Sequence, residues 1–478
     1  MIWGSYAIPE KKVKFGLPMP STRAAGANTN HRRETPVSRQ KKILTSRSSR
    51  LFRLGGLTAR ISSSYTFQWA REAFQNVERA AQSRSYAHIR NAQRIVETLG
   101  QLKGAVMKVG QYVSIQADLL PREFSEVLSS LQRSAPPVDY DLVADQITTE
   151  FGKPPDALFS KFERSPHASA SIGQVHRARL SKGTEVVVKI QYPGMEENIE
   201  GDLKNLKTIL STGGIIGYRK DDLNEIFEEI RDRLYEELDY EQEVENVQRF
   251  RRLFQKEKRV LIPRVFPAYC SRRVITLEYL PGDDLESLLA PPYSEEDRNH
   301  FGRLIFEIYA RQLFRLGVLH ADPHPGNFAF RRDGRLVLYD FGCLKQIPPF
   351  IQRAYRDIAL CGIRRTYDRV DEAMLRLGTR DPRKEAPDPE FYRPFGEALR
   401  EPFCSDEPYD FGTSDIHERL MELAPLGVSK MLHFKPPRET IFISRTIAGH
   451  YGNLRHLRAK AHWGKILEPY LQDPDSPS

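Results

Sequence analysis

The segment His320-Ala321-Asp322-Pro323-His324-Pro325-Gly326-Asn327 carries a carboxylate and an amide on one proline-stiffened loop. Thirteen residues after Asn327 comes Asp340-Phe341-Gly342. The spacing H-x-D-x-x-x-x-N, then a strand, then D-F-G, is that of a phosphoryl-transfer loop followed by a metal-holding aspartate. In that chemistry Asp322 accepts a hydroxyl proton or orients a water, while Asn327 and Asp340 hold Mg²⁺ against nucleotide phosphates. A D-F-G triplet alone is common. Its order behind the loop and a short strand is what carries meaning.

Upstream, Lys189 ends the apolar run Val186-Val187-Val188. An ammonium there is costly to bury without an anionic partner. Nucleotide phosphate and a helix carboxylate are the partners that such a lysine has in phosphoryl-transfer enzymes. The helix carboxylate expected here is Glu243, which borders Val244 and Val247; Glu237 and Asp239 stand beside it. Asp239 and Glu243 are four residues apart and are expected to share one helix face. Before the lysine, Ala168-Ser169-Ala170-Ser171-Ile172-Gly173-Gln174-Val175 has the form of a phosphate loop whose first two glycines are alanines. Its backbone N–H groups can still face phosphate, with less conformational freedom. Ala168, Ser169, Ala170, Ser171 and Gly173 are therefore expected nucleotide contacts, together with Lys189 and Glu278. Ala321 stands where an arginine would read a phosphorylated activation loop, and no A-P-E follows Gly342. Control by activation-loop phosphorylation is not expected.

These residues need a scaffold. Residues 172–190 pattern as two strands joined by the turn Ser181-Lys182-Gly183-Thr184, and Val274–Leu280 and Leu336–Tyr339 as further strands. Residues 222–254 pattern as one long amphipathic helix, and 296–316 as a core helix. Beyond residue 350 the chain is expected to be helical, interrupted by a Pro- and acid-rich loop over 381–412. In the N-terminal part, Ile95, Leu99, Leu102, Val106, Val109 and Val113 form one apolar helical stripe. Gly100, Gly104, Lys108 and Gln111 form a second. Those glycines cost helix stability of about 1 kcal/mol each relative to Ala, as in a helix that presents Lys108 and Gln111 to another element. The expected organisation is a disordered basic arm over 1–65 and a helical extension over 66–150. A strand-rich lobe over 151–280, a helical lobe over 281–465 and a tail over 466–478 complete it.

Residues 1–70 carry 13 Lys/Arg against 2 acidic residues, a balance of +11. The whole chain of 478 residues carries +9, so the remainder sums to −2. The basic character belongs to the arm, which argues against a nucleic-acid-binding core. The four cysteines, Cys270, Cys343, Cys361 and Cys404, make no metal or disulfide spacing, as expected of a reducing compartment. No apolar run is long enough for a transmembrane helix.

Taken together, Lys108-Val109-Gly110-Gln111, Ser171 to His176, Lys189 to Gly194, Glu237-Leu238-Asp239, His320 to Asn327 and Asp340 to Gly342 resemble the UbiB/AarF family of atypical kinases. That family includes the mitochondrial coenzyme Q kinases. The resemblance spans residues 100–345 and is looser in the C-terminal helical part. It implies an α+β, two-lobed kinase-like fold that binds ATP and Mg²⁺ between its lobes. The N-terminal helix would fold over the active site, with Lys108 near Glu237 or Asp239 in a regulatory contact. It further implies ATPase or phosphotransferase activity in support of isoprenoid-quinone (ubiquinone) biosynthesis or membrane lipid homeostasis. Isoprenoid lipid, an anionic membrane surface and quinone-biosynthesis proteins are the implied partners. The implied location is cytoplasmic or peripheral to the inner membrane, and mitochondrial in a eukaryotic host. The chain departs from the family in Ser169, which bears on nucleotide preference. It also lacks the C-terminal hydrophobic helices of some bacterial members, which weakens membrane anchoring. Two other readings compete: a small-molecule phosphotransferase of the aminoglycoside or choline kinase type, and a non-catalytic nucleotide-gated scaffold for lipid or protein. The Lys108–Gln111 element and the Ala-rich loop argue against the first, and the full set of catalytic residue types against the second.

Overall fold

Alternation decides where the lysine points. Along Glu185–Gln191 the side chains of Val186, Val188 and Ile190 are fully buried, while Val187 and Lys189 face the other way. A strand's period of two therefore sends Lys189 to the face opposite the main core residues. The computed structural model describes residues 138–169, 172–212, 220–430 and 433–472. The expected arm, the helix bearing Lys108 and Gln111, the loop residues Ala170 and Ser171, and the end of the tail lie outside the described residues.

The described chain begins with helix α1 (Tyr140–Phe151) and the short α2 (Pro155–Leu158). A five-stranded antiparallel sheet follows: β1 (Lys161–Phe162), β2 (Ala168–Ser169), β3 (Gly173–Arg179), β4 (Glu185–Gln191) and β6 (Val274–Glu278). The order is β1-β3-β4-β6, with β2 also paired to β3. The β3–β4 turn is the expected one, with Gly183 at φ 83°, a left-handed conformation that suits glycine. Between β4 and β6 lie helices α3 (Met195–Thr212), α4 (Lys220–Leu238) and α5 (Tyr240–Leu253), then β5 (Val260–Leu261).

The continuous helix expected over 222–254 is two helices. Asp239, at φ −92° and ψ 85°, leaves helical geometry between α4 and α5. Its side chain accepts from Gln242 N at 2.9 Å and so caps α5. An aspartate competes well for exposed N–H groups at a helix start, which an amphipathic period cannot register. Asp239 and Glu243 therefore do not share the face of one continuous helix.

The helical part opens with α6 (Glu295–Arg311), whose capping box of Ser294 and Asp297 stops the preceding loop. β7 (Val318–His320), β8 (Phe328–Phe330), β9 (Leu336–Leu338) and β10 (Leu344–Gln346) are short strands. They pair as β7–β10 and β8–β9 antiparallel and β5–β9 parallel. Then come α7 (Pro349–Arg364), α8 (Val370–Arg376), α9 (Pro389–Cys404), a strand β11 (Tyr409–Asp410), α10 (Ile416–Glu422), α11 (Ala424–Ser429), α12 (Arg438–Leu457), β12 (Lys460–Ala461) and α13 (Trp463–Leu471). As expected, the stretch after Gly342 runs almost directly into helix α7.

The loop expected over 381–412 contains α9. Asp388 caps it through Glu390 N at 2.8 Å, and Pro389 at its first position fits the fixed φ of proline. Two internal prolines, Pro394 and Pro402, are tolerated because the helix buries Tyr392, Ala398 and Pro402 itself. Tertiary packing of one face outweighs the local cost of proline here. The fold as a whole is α+β and two-lobed, sheet first and helices after.

Candidate active site

Lys189 is the meeting point. Its ammonium donates to both carboxylate oxygens of Glu243, at 3.1 and 2.9 Å, and to Asp340 Oδ2 at 3.2 Å. Three elements supply these groups: β4 the lysine, the first turn of α5 the glutamate, and the segment after β9 the aspartate. Gln191 helps set the second, since its amide donates to Leu238 O at 2.6 Å and holds the α4–α5 corner against β4. The lysine is 15% exposed and Glu243 3%, whereas Asp340 is 44% exposed. One carboxylate is thus sealed in and the other faces outward.

Burial would pull the Lys189 ammonium down, but Asp340 and Glu243 more than offset it and hold it well above its ordinary value. For Glu243, burial raises the carboxyl against the pull of Lys189. Asp340 is desolvated too, yet Lys189 and the Gly342 N–H bring it down to about 2. It is ionised at any working pH. The Tyr240 ring lies under the lysine, 5.0 Å from ammonium to centroid, and adds a cation–π contact.

Asp340 sits at φ 50°, in the left-handed region that aspartate adopts only at a cost. Several contacts hold it there. Its Oδ1 accepts from Gly342 N at 3.1 Å. Its carbonyl accepts from His320 Nε2 at 2.7 Å, which requires that the imidazole carry its proton on Nε2. The next carbonyl, that of Phe341, accepts from Asn246 Nδ2 of α5 at 2.9 Å. Phe341 is fully buried between Phe250 of α5 and His320, with ring centroids at 5.3 and 5.5 Å. A cluster of tilted and edge-to-face rings therefore joins the α5 helix, the Asp340 segment and the His320 loop.

Asn327 is brought beside Asp340 by backbone pairing. Tyr339 N donates to Asn327 O at 2.8 Å, extending the β8–β9 ladder by one rung. The Asn327 amide also donates to Asp322 O at 3.3 Å, and Asp322 Oδ1 accepts from His324 N at 3.3 Å. His324 Nδ1 accepts from Gly326 N at 3.1 Å, closing the turn between them. Lys189, Glu243 and Asp340 are thus in direct contact, and Asn327 and Asp322 join them through short backbone links.

The remaining candidates are placed as follows. Ala168 and Ser169 form β2, opposite Val175 and Gln174. A Cβ on Gly173 would lie 2.2 Å from the carbonyl oxygen of Ile190, so this glycine is demanded by the close approach of β3 to β4. Glu278 lies opposite Val186, three residues along β4 from Lys189, or about 10 Å. Directly paired residues share a face, so Glu278 projects to the side of Val186 and away from Lys189. Its carboxylate accepts from Arg264 N at 3.2 Å. Glu237 lies half-buried in the last turn of α4. Asp239 is the cap of α5, its Oδ1 committed to Gln242 N.

Among the described residues no three His, Cys, Asp or Glu side chains cluster as a metal cage. Mg²⁺ does not need one; it is commonly held by one or two protein oxygens, phosphates and water. The outward, ionised Asp340 carboxylate fits that mode.

Some groups at the site had no clear signal in the sequence. Asn246 buttresses the Asp340 segment through the Phe341 carbonyl, with only its proximity to the motifs as a hint, and His320, the first residue of the H-x-D loop, holds the Asp340 carbonyl, a task its place in the motif does not state. Asn453 of α12 donates to Pro323 O at 2.9 Å, reaching the His320–Asn327 loop from 130 residues away.

Known proteins place the chain among atypical kinase-like proteins. The profile of the ABC1 atypical kinase-like domain matches residues 130–374. A chloroplastic protein of Arabidopsis thaliana, activity of BC1 complex kinase 8, is 35% identical over 293 residues, covering 60% of this chain and 38% of that protein. The mitochondrial atypical kinase COQ8 of Saccharomyces cerevisiae is 28% identical over 434 residues, 90% of this chain and 86% of its own length. The chain matches well under half the length of the chloroplast relatives. Among solved structures, a Mycobacterium tuberculosis protein in complex with erythromycin superposes with a TM-score of 0.57 at 28% identity, covering 79% of this chain and 95% of that one.

Proposed function

Because the chain belongs to the ABC1 atypical kinase-like family, we propose that it binds ATP and passes the terminal phosphoryl group to water or to a small or lipid acceptor, in support of isoprenoid-quinone biosynthesis. The observation that carries this reading is the single ammonium of Lys189, shared between a buried carboxylate and an outward one.

Each residue then has a task. Glu243 holds Lys189 in place from inside, so the ammonium can exchange the Asp340 oxygen for phosphate oxygens without losing its anchor. Glu278 has no direct part in this scheme: its N–H donates to Arg264 O at 2.8 Å, and its side chain points to the other face of the sheet. Asp340 and Asn327 would hold Mg²⁺, which would supply neutralisation of phosphate charge there. Asp322 orients the acceptor hydroxyl or water and takes its proton as the new P–O bond forms and ADP leaves. Charge placement and alignment, rather than covalent participation of the protein, supply the rate.

Relatives that bear mitochondrial and chloroplastic names make an organellar setting the natural one to examine. No described helix is long and apolar enough to cross a membrane. The lipid partner is therefore proposed to be met at a surface. The decisive experiment measures phosphate release from MgATP by the purified chain, with and without anionic liposomes and quinone-precursor mimics, beside Asp340→Asn. The variant is expected to lose Mg²⁺-dependent turnover entirely. Full turnover by Asp340→Asn would refute the assignment.

A further inference from the structure

The His320–Asn327 loop rests on helix α12, an element that no motif marks. Gly449 faces Pro323 so closely that a Cβ there would lie 2.2 Å from Pro323 Cγ and 2.7 Å from its Cβ. One turn on, Asn453 is 6% exposed and donates its amide to Pro323 O at 2.9 Å. His450, between them, packs its ring against Tyr309 and Phe328, at 5.3 and 5.9 Å between centroids. The helix is thus fitted to the loop by a missing side chain at one position and a buried hydrogen bond at the other.

That hydrogen bond has a consequence at Asp322. The Pro323 carbonyl and the His324 N–H belong to one planar peptide unit, on opposite sides of it. Asn453 grips the carbonyl. The N–H on the far side donates to Asp322 Oδ1 at 3.3 Å. The only soft motion of such a unit is rotation about the line joining its two Cα atoms, and a buried bond at the carbonyl suppresses it. We propose that Asn453 is a positioning residue for Asp322: through one peptide plane it sets the direction of the carboxylate that faces the acceptor. Gly449 contributes by letting α12 approach closely enough for the bond to form. The inference rests on the phosphoryl-transfer role given to Asp322 above.

Asn453→Leu removes the donor and leaves the Pro323 carbonyl buried without it, so the peptide turns and Asp322 loses its guide. The test is MgATP turnover by the full chain, read as kcat and KM separately, with nucleotide affinity measured by direct titration. A misaligned catalytic group typically costs roughly 10- to 100-fold in rate. That loss is expected in kcat, with KM and affinity for MgATP changed by no more than about twofold. A purely structural defect would lower the active fraction and the melting temperature together. Gly449→Ala serves as the second variant, because alanine favours the helix itself and disturbs only the contact with Pro323. It is expected to show the same loss in kcat alone.

A double-mutant cycle completes the test. In the Asp322→Asn background, Asn453→Leu should cost nothing further, because the group it positions is gone. Equal losses in both backgrounds, or unchanged kcat in Asn453→Leu and Gly449→Ala, would overturn the inference. If Asp322→Asn alone retained full turnover, the assigned role of Asp322 would be what fails, a result visible before either α12 variant is made.

Discussion

Replacing Lys189 by Met should destabilise the protein in a pH-dependent way that a second substitution reverses. Methionine has nearly the volume of lysine and suits the Tyr240 ring, so little is lost in packing. What is lost is the cation beside a carboxylate only 3% exposed. At 2.9 Å and an effective dielectric of about 20, the gross attraction is about 6 kcal/mol. Removing one partner of a buried pair costs about 3–5 kcal/mol net, because the other charge stays behind. Asp340 is less affected, being half-exposed and able to turn to water. Glu243 escapes the penalty only by binding a proton. Its folded pKa is already raised by burial and rises further without Lys189. A raised carboxyl contributes stability below its unfolded pKa and loses it as pH rises through the folded value. The deficit of Lys189→Met should therefore be largest near pH 8 and shrink toward pH 5. Urea unfolding at both pH values, with the slope checked for constancy, measures it. Lys189→Met/Glu243→Leu should recover most of the stability at pH 8, since apolar replacement of a buried pair is often neutral or better. It should recover no ATP turnover. A single variant within about 1 kcal/mol of the parent at pH 8 would show that Glu243 is not a sealed charge held by Lys189. So would a double variant no more stable than the single one.

Two further outcomes follow from the same coordinates. Gly173→Ala puts a methyl against Ile190 O and should part β3 from β4, lowering the unfolding free energy by the amount typical of a strained core, about 1–3 kcal/mol; an unchanged urea midpoint would show that the strands yield freely. His450 is held at about 3, first by burial and then by His320, against the opposing pull of Asp322. Its unfolded form binds a proton below about pH 6.5, so stability is lost as pH falls from there toward 3. Between pH 7 and 5 the loss is about 2 kcal/mol. His450→Phe keeps the ring contacts and should remove that part of the acid sensitivity, as seen in urea midpoints at the two pH values.

Much of the scaffold is written locally. The β3–β4 hairpin declares itself by alternation and a Gly183 turn, α6 by its Ser294–Asp297 cap, and the run into α7 by Pro348-Pro349. Local pattern failed where two signals conflicted. Asp239 lies within an unbroken amphipathic period, and its competition for the N–H of Gln242 ends α4 all the same. Pro394 and Pro402 argue for a loop, yet an apolar face buried on its neighbours keeps α9 helical. At the site, the sequence order of Lys189, Glu243 and Asp340 anticipated the three groups that the structure brings into direct contact, because a buried lysine needs anionic partners.

The groups that aim those residues were not legible in the same way. Asn246 and Asn453 both act on main-chain carbonyls, as does His320, whose motif marks the residue but not this task. A carbonyl is offered by every residue, so no side chain at the receiving end marks the partnership. The same limit applies to Glu278, whose side chain the β4–β6 register sends away from Lys189. Order along the chain names the ionic groups and their chemistry, because charge and hydrogen-bonding capacity belong to the residue itself. Which carboxylate is sealed and which is open, and what holds the Asp322 loop, depends on distances between segments far apart in the chain, which exist only once the sheet, α5 and α12 have packed.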